Sequence, residues 1–132
     1  MSRIKAEIQQ CMSGPERDGA TIGARFRFPA GFIGFQGHFP GNSVLAGACQ
    51  IQCALTAMEK GLGKAVALRE IVLAKFVAPV LPEQEITCLV SDCADTPGEW
   101  LCRARITRGD ERVAELRLRV CLVDEAEGRR DP

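Results

Sequence analysis

The fold of this chain is decided by one continuous stretch, Gly37-His38-Phe39-Pro40-Gly41-Asn42-Ser43-Val44-Leu45-Ala46-Gly47-Ala48-Cys49-Gln50-Ile51-Gln52. Its first half is a turn rich in glycine and proline, and it holds the only histidine of the protein, His38. Its second half opens a segment that is almost wholly apolar. Because an imidazole titrates near neutral pH and can take up or release a proton there, His38 is the strongest candidate for a catalytic residue in the sequence.

Residues 44–60, which continue this stretch, have the spacing of a helix. Apolar side chains recur at intervals of three and four, at Val44, Ala48, Ile51, Leu55 and Met58. Small apolar residues fill most of the remaining circumference, which is typical of a helix buried on all sides. Such a helix would be about 25 Å long, and the glycines at 61 and 63 are stop signals.

Short alternating or apolar stretches surround this helix and predict strands. Before it, we expect a strand around Ile4, Ala6 and Ile8, a turn over residues 13–19, and a half-buried strand from Ile22 to Phe28. Residues 29–41 are rich in glycine but also carry three phenylalanines, which indicates a packed loop. After the helix, strands are predicted over residues 68–77, 85–93, 99–107 and 112–123. Since helices and strands do not alternate, the sheet is expected to be antiparallel in an α+β domain.

The last two predicted strands form a hairpin whose register can be argued. Apolar side chains share one face of each strand, and a slip of one residue would move either set to the polar side. The register that keeps both sets together pairs Ile106 with Ala114, Ala104 with Leu116 and Cys102 with Leu118. We expect a three-residue loop of residues 109–111 to produce it.

Composition limits the class of protein. The 132 residues form one domain, expected over residues 1–123, with a charged tail over residues 124–132. Seventeen basic and 17 acidic residues argue against a bulk nucleic-acid partner. No apolar run reaches 18 residues and the N-terminus is polar, so neither a membrane span nor a signal peptide is expected. Seven cysteines without a CxxC spacing are expected to be small buried side chains in the reducing cytoplasm, not a zinc site.

The Gly37-His38-Phe39-Pro40-Gly41 motif, with Gly47 nine residues after the histidine and a buried helix beyond, resembles the β-hydroxyacyl-acyl-carrier-protein dehydratases. The stretch from Lys75 to Pro82 is similar to the strand and turn that follow the helix in that family. The resemblance covers most of the chain. It implies a hotdog fold, in which a long central helix is wrapped by an antiparallel β-sheet, and at least a homodimer.

The resemblance also implies roles for individual residues. His38 would be the catalytic base, and a backbone N–H near Gly47 would polarise the thioester carbonyl, with Ala48 and Phe39 beside the substrate. The family carries a carboxylate fourteen residues after the histidine, where this chain has Gln52. A carboxamide can donate and accept hydrogen bonds but cannot titrate as a general acid. Ser43 and Ala46 stand where the family has prolines.

The expected activity is dehydration of a (3R)-hydroxyacyl thioester to a trans-2-enoyl thioester, carried by acyl carrier protein or coenzyme A, in fatty acid, lipid or polyketide synthesis. No metal or redox cofactor is implied. Two alternatives remain open: a hotdog acyl thioesterase, and a non-catalytic subunit that binds acyl chains or carrier protein.

Each candidate residue also has a structural interpretation. His38 could fill the core, Gly47 could be a close-packing position, and Gln52 could belong to a polar stripe with Thr56 and Glu59. Cys49 lies near the predicted helix start, where a helix N-terminus lowers a thiol pKa, so a Cys/His pair is a further hypothesis.

Overall fold

The computed structural model describes residues 3–35, 44–93 and 98–123. These residues form one six-stranded antiparallel sheet around a central helix. The strand order is β1-β2-β4-β5-β6-β3. The elements are α1 (Arg3–Gln10), β1 (Met12–Asp18), β2 (Thr21–Arg27), a 3-10 turn (Ile33–Phe35), α2 (Gly47–Leu62), β3 (Val66–Phe76), β4 (Glu85–Ser91), β5 (Glu99–Arg108) and β6 (Glu111–Leu122). The α+β class and the wrapped central helix are confirmed.

Helix α2 is the centre of the hydrophobic core, as its composition predicts. It begins at Gly47, three residues later than the apolar spacing indicates, and it runs through Gly61 to Leu62. Gly63 ends it in the left-handed conformation at a φ of 70°, and its N–H donates to the carbonyl of Glu59 at 2.9 Å. Glycine adopts this conformation without steric cost, so of the two predicted stop signals only Gly63 is one.

The predicted first strand is wrong, because residues 3–10 form helix α1. Ile4 and Ile8 are four residues apart and therefore share one helical face, and Ile8 is completely buried in the core. The Arg3 guanidinium pairs with the Glu7 carboxylate at 2.9 Å, one helical turn away. The same residues satisfy an alternating pattern and a helical one, and packing against α2 decides between them.

The predicted turn over residues 13–19 is also wrong, because most of it is the edge strand β1. This strand pairs with β2, with Asp18 opposite Thr21, so the reversal of direction is confined to Gly19 and Ala20. The ladder is interrupted between Ser13 and Glu16. A proline, which has no N–H to donate, is tolerated in such an irregular stretch at the edge of a sheet.

The register of the final hairpin is confirmed, whereas its loop is not. Ile106 lies opposite Ala114, Ala104 opposite Leu116 and Cys102 opposite Leu118. Arg108 and Glu111 also face each other, so the turn has two residues. A bulge that leaves Val113 without an opposite residue on β5 shifts the ladder by one residue and restores the register that the apolar faces require.

The described part of the predicted loop, residues 29–35, is packed, as expected. Phe28, Phe32 and Phe35 are buried, and the rings of Phe28 and Phe32 stack with centroids 4.6 Å apart. Within the three described ranges, no helix is long and apolar enough to cross a lipid bilayer. The tail of residues 124–132 lies outside the described residues.

Candidate active site

The site is organised by the first turn of α2. Ala46 is its N-cap, in an extended conformation, and no side chain of the described residues caps the helix there. The Leu45 N–H donates to the Val80 carbonyl at 2.8 Å, and both residues are buried, which fixes the helix start against the turn that follows β3. The first amide groups of a helix have no intrahelical acceptor, so this end offers N–H donors and partial positive charge.

Gly47 lets the backbone of this turn approach the side of Phe76. A Cβ atom at Gly47 would lie 2.8 Å from Cζ of the Phe76 ring, closer than real Cβ contacts come. The ring itself is 44% exposed. The sequence therefore places a glycine where any side chain would collide with the Phe76 ring beside the helix start.

A cavity of about 420 Å³ opens at this point. Its walls are mostly apolar and come from the first turn of α2, the end of β3 and the turn after it: Val44, Leu45, Ala46, Gly47, Gln50, Phe76, Val77, Ala78 and Pro79. An apolar cleft with helix N–H donors and one amide side chain at its wall is suited to an acyl group that carries a polar carbonyl.

Gln50 is the polar side chain of this wall, and the sequence reasoning did not single it out. It is 2% exposed, and its Nε2 donates to the Leu45 carbonyl at a long 3.4 Å. Its Oε1 is buried and accepts no hydrogen bond from any residue that the structure describes. The signal that could have found it is its position three residues after Gly47, on the same helical face.

Gln52, the predicted substitute for the family carboxylate, has its amide bound to its own helix. Its Nε2 donates to Oγ1 of Thr56 at 3.0 Å, and Thr56 is itself buried. With 3.6 residues per turn, Gln52 lies about 160° around the helix from Gln50 and about 140° from Gly47. Within one chain, the structure therefore does not bring Gln52 to the cavity at the helix start.

The third polar residue of the predicted stripe, Glu59, has a structural role. Its carboxylate accepts a hydrogen bond from the Val66 N–H at 2.9 Å, where β3 begins. This bond ties the last turn of α2 to the sheet. Glu59 is therefore no replacement for the acid that the sequence lacks at Gln52.

Of the other predicted site residues, Ala48 lies exposed in the first turn of α2, next to Gly47. His38 and Phe39 lie outside the described residues. Their roles remain predictions from the sequence motif.

The cysteines are packing residues. All seven are free thiols, and five of them are buried. Burial raises the pKa of Cys49, whereas a nucleophilic thiol at a helix N-terminus needs a lowered pKa. Burial also raises the pKa of Cys88 to about 12. The Cys/His hypothesis for Cys49 finds no support in this environment.

Comparison with known proteins identifies the family. A family model described as ApeI-like, ApeI dehydratase, matches residues 14–108. The 3-hydroxyacyl-acyl-carrier-protein dehydratase FabZ of Symbiobacterium thermophilum is 31% identical over 99 residues, which cover 70% of each chain.

Solved structures share the fold. The dehydratase heterocomplex ApeI:P from Xenorhabdus doucetiae superposes with a TM-score of 0.70 at 18% identity, covering 83% of this chain and 96% of the other. The PaaI protein of the phenylacetic acid degradation operon of E. coli superposes with a TM-score of 0.66 at 15% identity, covering 89% and 92%. The family match and the FabZ relative show that the chain belongs to the ApeI-like dehydratase family, whose members have the hotdog fold.

Proposed function

We propose that the protein dehydrates a (3R)-3-hydroxyacyl thioester, held on an acyl carrier protein or coenzyme A, to the trans-2-enoyl thioester. The observation that carries this proposal is the uncapped start of α2 at Gly47, which opens into an apolar cavity directly after the histidine motif. Helix N–H groups stabilise an enolate-like oxygen where negative charge develops, and they are already oriented before the reaction.

A single proton-transferring group, His38, is sufficient for the elimination of water. The neutral imidazole of His38 takes the proton from C2, and the electron pair forms the C2–C3 double bond as the C3–O bond breaks. The imidazolium then returns its proton to the departing hydroxyl, which leaves as water. The Gly47 N–H holds the thioester oxygen throughout. Gln52 faces away from the cavity of its own chain, so it is Gln52 of a second copy of the chain that positions the hydroxyl or a water molecule as a neutral hydrogen-bonding group.

A second candidate is favoured by one observation. The Gln52 amide donates to Thr56 within its own helix and is not a titratable acid, as expected of a subunit that binds acyl chains without turning them over. In that case the missing carboxylate would come from a second hotdog protein or be lost altogether.

A single assay separates these candidates. The purified protein is incubated with 3-hydroxyacyl and trans-2-enoyl thioesters of acyl carrier protein, and their interconversion is followed by mass spectrometry beside Gln52→Glu. We expect the wild type to interconvert them and Gln52→Glu to turn over faster, because the new carboxyl group can protonate the leaving hydroxyl. Binding without turnover in the wild type supports the non-catalytic candidate. Release of free thiol identifies a thioesterase.

We further propose that two copies of the chain associate along β3. This strand is an edge of the sheet, and Ile71 and Phe76 lie opposite the buried residues Leu118 and Ala114, so they face the helix side of the sheet. They are nevertheless 47% and 44% exposed. An uncovered apolar edge strand invites pairing with another chain, and two antiparallel copies of one strand form a symmetric interface.

The dimer has a direct test. Ile71→Lys places a charge on the apolar edge and is expected to convert a particle of twice the 14.3 kDa chain mass into a monomer, measured by light scattering coupled to gel filtration. The matched control is Leu101→Lys, which adds the same charge at an exposed position of β5 opposite Arg119 and leaves the dimer intact. A wild-type monomer, or equal effects of both changes, would contradict the interface.

We also propose a cytoplasmic location. Seven free thiols suit a reducing compartment, where unpaired cysteines persist.

A further inference from the structure

Gln50 lines the cavity at the start of α2, and its Oε1 is a hydrogen-bond acceptor that no described residue satisfies. The side chain is 2% exposed, its Nε2 makes one long hydrogen bond to Leu45, and its Oε1 has no donor within residues 3–35, 44–93 and 98–123. A buried acceptor without a partner costs stability, and an apolar side chain of the same size would avoid that cost. A donor from a ligand in the cavity would satisfy the acceptor.

The position of Gln50 identifies where on a ligand this donor would lie. Gln50 follows Gly47 by three residues, so the two lie about 60° apart around the helix and one turn along it, and both line the same cavity. In a 3-hydroxyacyl thioester, the carbonyl carbon and the hydroxyl-bearing carbon are separated by one carbon. A ligand whose thioester oxygen binds the Gly47 N–H can therefore place its 3-hydroxyl on the Gln50 side of the cavity, by rotation about the bonds between these carbons.

We propose that Gln50 is the specificity-determining residue of the acyl cavity and that its Oε1 accepts a hydrogen bond from the 3-hydroxyl group. The inference rests on the proposed function, because it takes the thioester oxygen to bind at Gly47. The 3-hydroxyl is the donor that the substrate has and the enoyl product lacks. Gln50 therefore favours retention of substrate and release of product, while Gln52, on the far side of the helix, serves another site or the partner subunit.

The test compares two ligands that differ only in the hydroxyl group: 3-hydroxyhexanoyl-coenzyme A and hexanoyl-coenzyme A. Binding of both is measured by calorimetry in the His38→Ala background, so that dehydration does not consume the first. Gln50→Met, which keeps the length of the side chain and removes its acceptor, is expected to weaken binding of the hydroxylated ligand about tenfold, the worth of one neutral hydrogen bond. Affinity for hexanoyl-coenzyme A is expected to stay the same, and the melting temperature to stay the same or rise.

The matched control is Gln10→Met, the same chemical change at an exposed glutamine of α1, which should alter neither affinity nor melting temperature. Equal weakening of both ligands would overturn the proposal, because the pantetheine amides that they share would then be the donors. A lower melting temperature with unchanged preference for the hydroxyl would show a structural role and also overturn it, as would failure of the His38→Ala protein to bind either ligand.

The proposed function fails separately. If the wild type does not interconvert hydroxyacyl and enoyl thioesters but the preference for the hydroxylated ligand depends on Gln50, the proposed dehydratase function is wrong and the proposed binding site at Gln50 is supported. If the wild type is a dehydratase and Gln50→Met retains the preference, the assignment of Gln50 is wrong and the function stands.

Discussion

Replacing His38 with alanine is expected to reduce dehydration by a factor of about 10²–10⁴, the usual contribution of a general acid–base residue, while the melting temperature stays within a few degrees of the wild type. The reason is that the elimination needs a group that accepts the C2 proton and returns it to the hydroxyl. The carboxamide at position 52 cannot do this, and Glu59 is engaged with the Val66 N–H at the start of β3. The rate is measured as formation of the enoyl thioester under single-turnover conditions.

The chain offers a sharp control for this experiment, since it contains one histidine. Diethyl pyrocarbonate should inactivate the wild type with one modified imidazole per chain, and bound substrate should protect against it. Gln36→Ala, two residues earlier in the same stretch, should keep the wild-type rate. A His38→Ala protein with full activity would refute the proposed mechanism, and loss of its cooperative thermal transition would instead identify a structural histidine.

The parts of the fold that could be predicted are those where one pattern excludes the alternatives. A helix that is apolar around most of its circumference, as α2 is, has no stable position except the core, and the two apolar faces of β5 and β6 allow one register. The strand predicted for the N-terminal segment was wrong because Ile4 and Ile8 fit both a strand and a helix. The choice depends on contacts with α2 that the local sequence does not contain. The predicted length of the hairpin loop was wrong because a bulge at Val113 compensates for a shorter turn.

The position of Gly47 could be predicted because it depends on the backbone, whereas the directions of the two glutamine side chains could not. Gly47 at the helix start follows from the motif and the end of the glycine-rich turn. That Gln52 turns to Thr56, while Gln50 is buried beside Phe76 and Val77, follows from where β3 ends relative to α2. The position of the end of β3 relative to α2 is a property of the packed domain, and no residue spacing within the helix encodes it.

Replacing Gly47 with alanine is expected to lower kcat/KM about 10–100-fold with a smaller effect on stability. The added methyl carbon would lie 2.8 Å from Cζ of Phe76, so the ring or the helix start must move. The ring is partly exposed, so the fold can accommodate the change by moving the ring away from the new methyl group. A displacement of about 1 Å at a group that holds the reacting oxygen is enough to cost a factor near 10² in rate.

A second substitution decides whether this loss arises from the collision with Phe76. Phe76→Leu removes the ring atoms that the new methyl group meets, so Gly47→Ala with Phe76→Leu should recover much of the activity that Gly47→Ala loses, relative to Phe76→Leu alone. Gly31→Ala is the control, because a Cβ there meets nothing within 4 Å and activity should not change. If Gly47→Ala is fully active, the close approach of backbone and ligand at this turn is not required. If its activity is lost and Phe76→Leu restores none of it, the glycine serves the ligand itself, since the ring atoms that lie nearest to the added methyl group have then been removed.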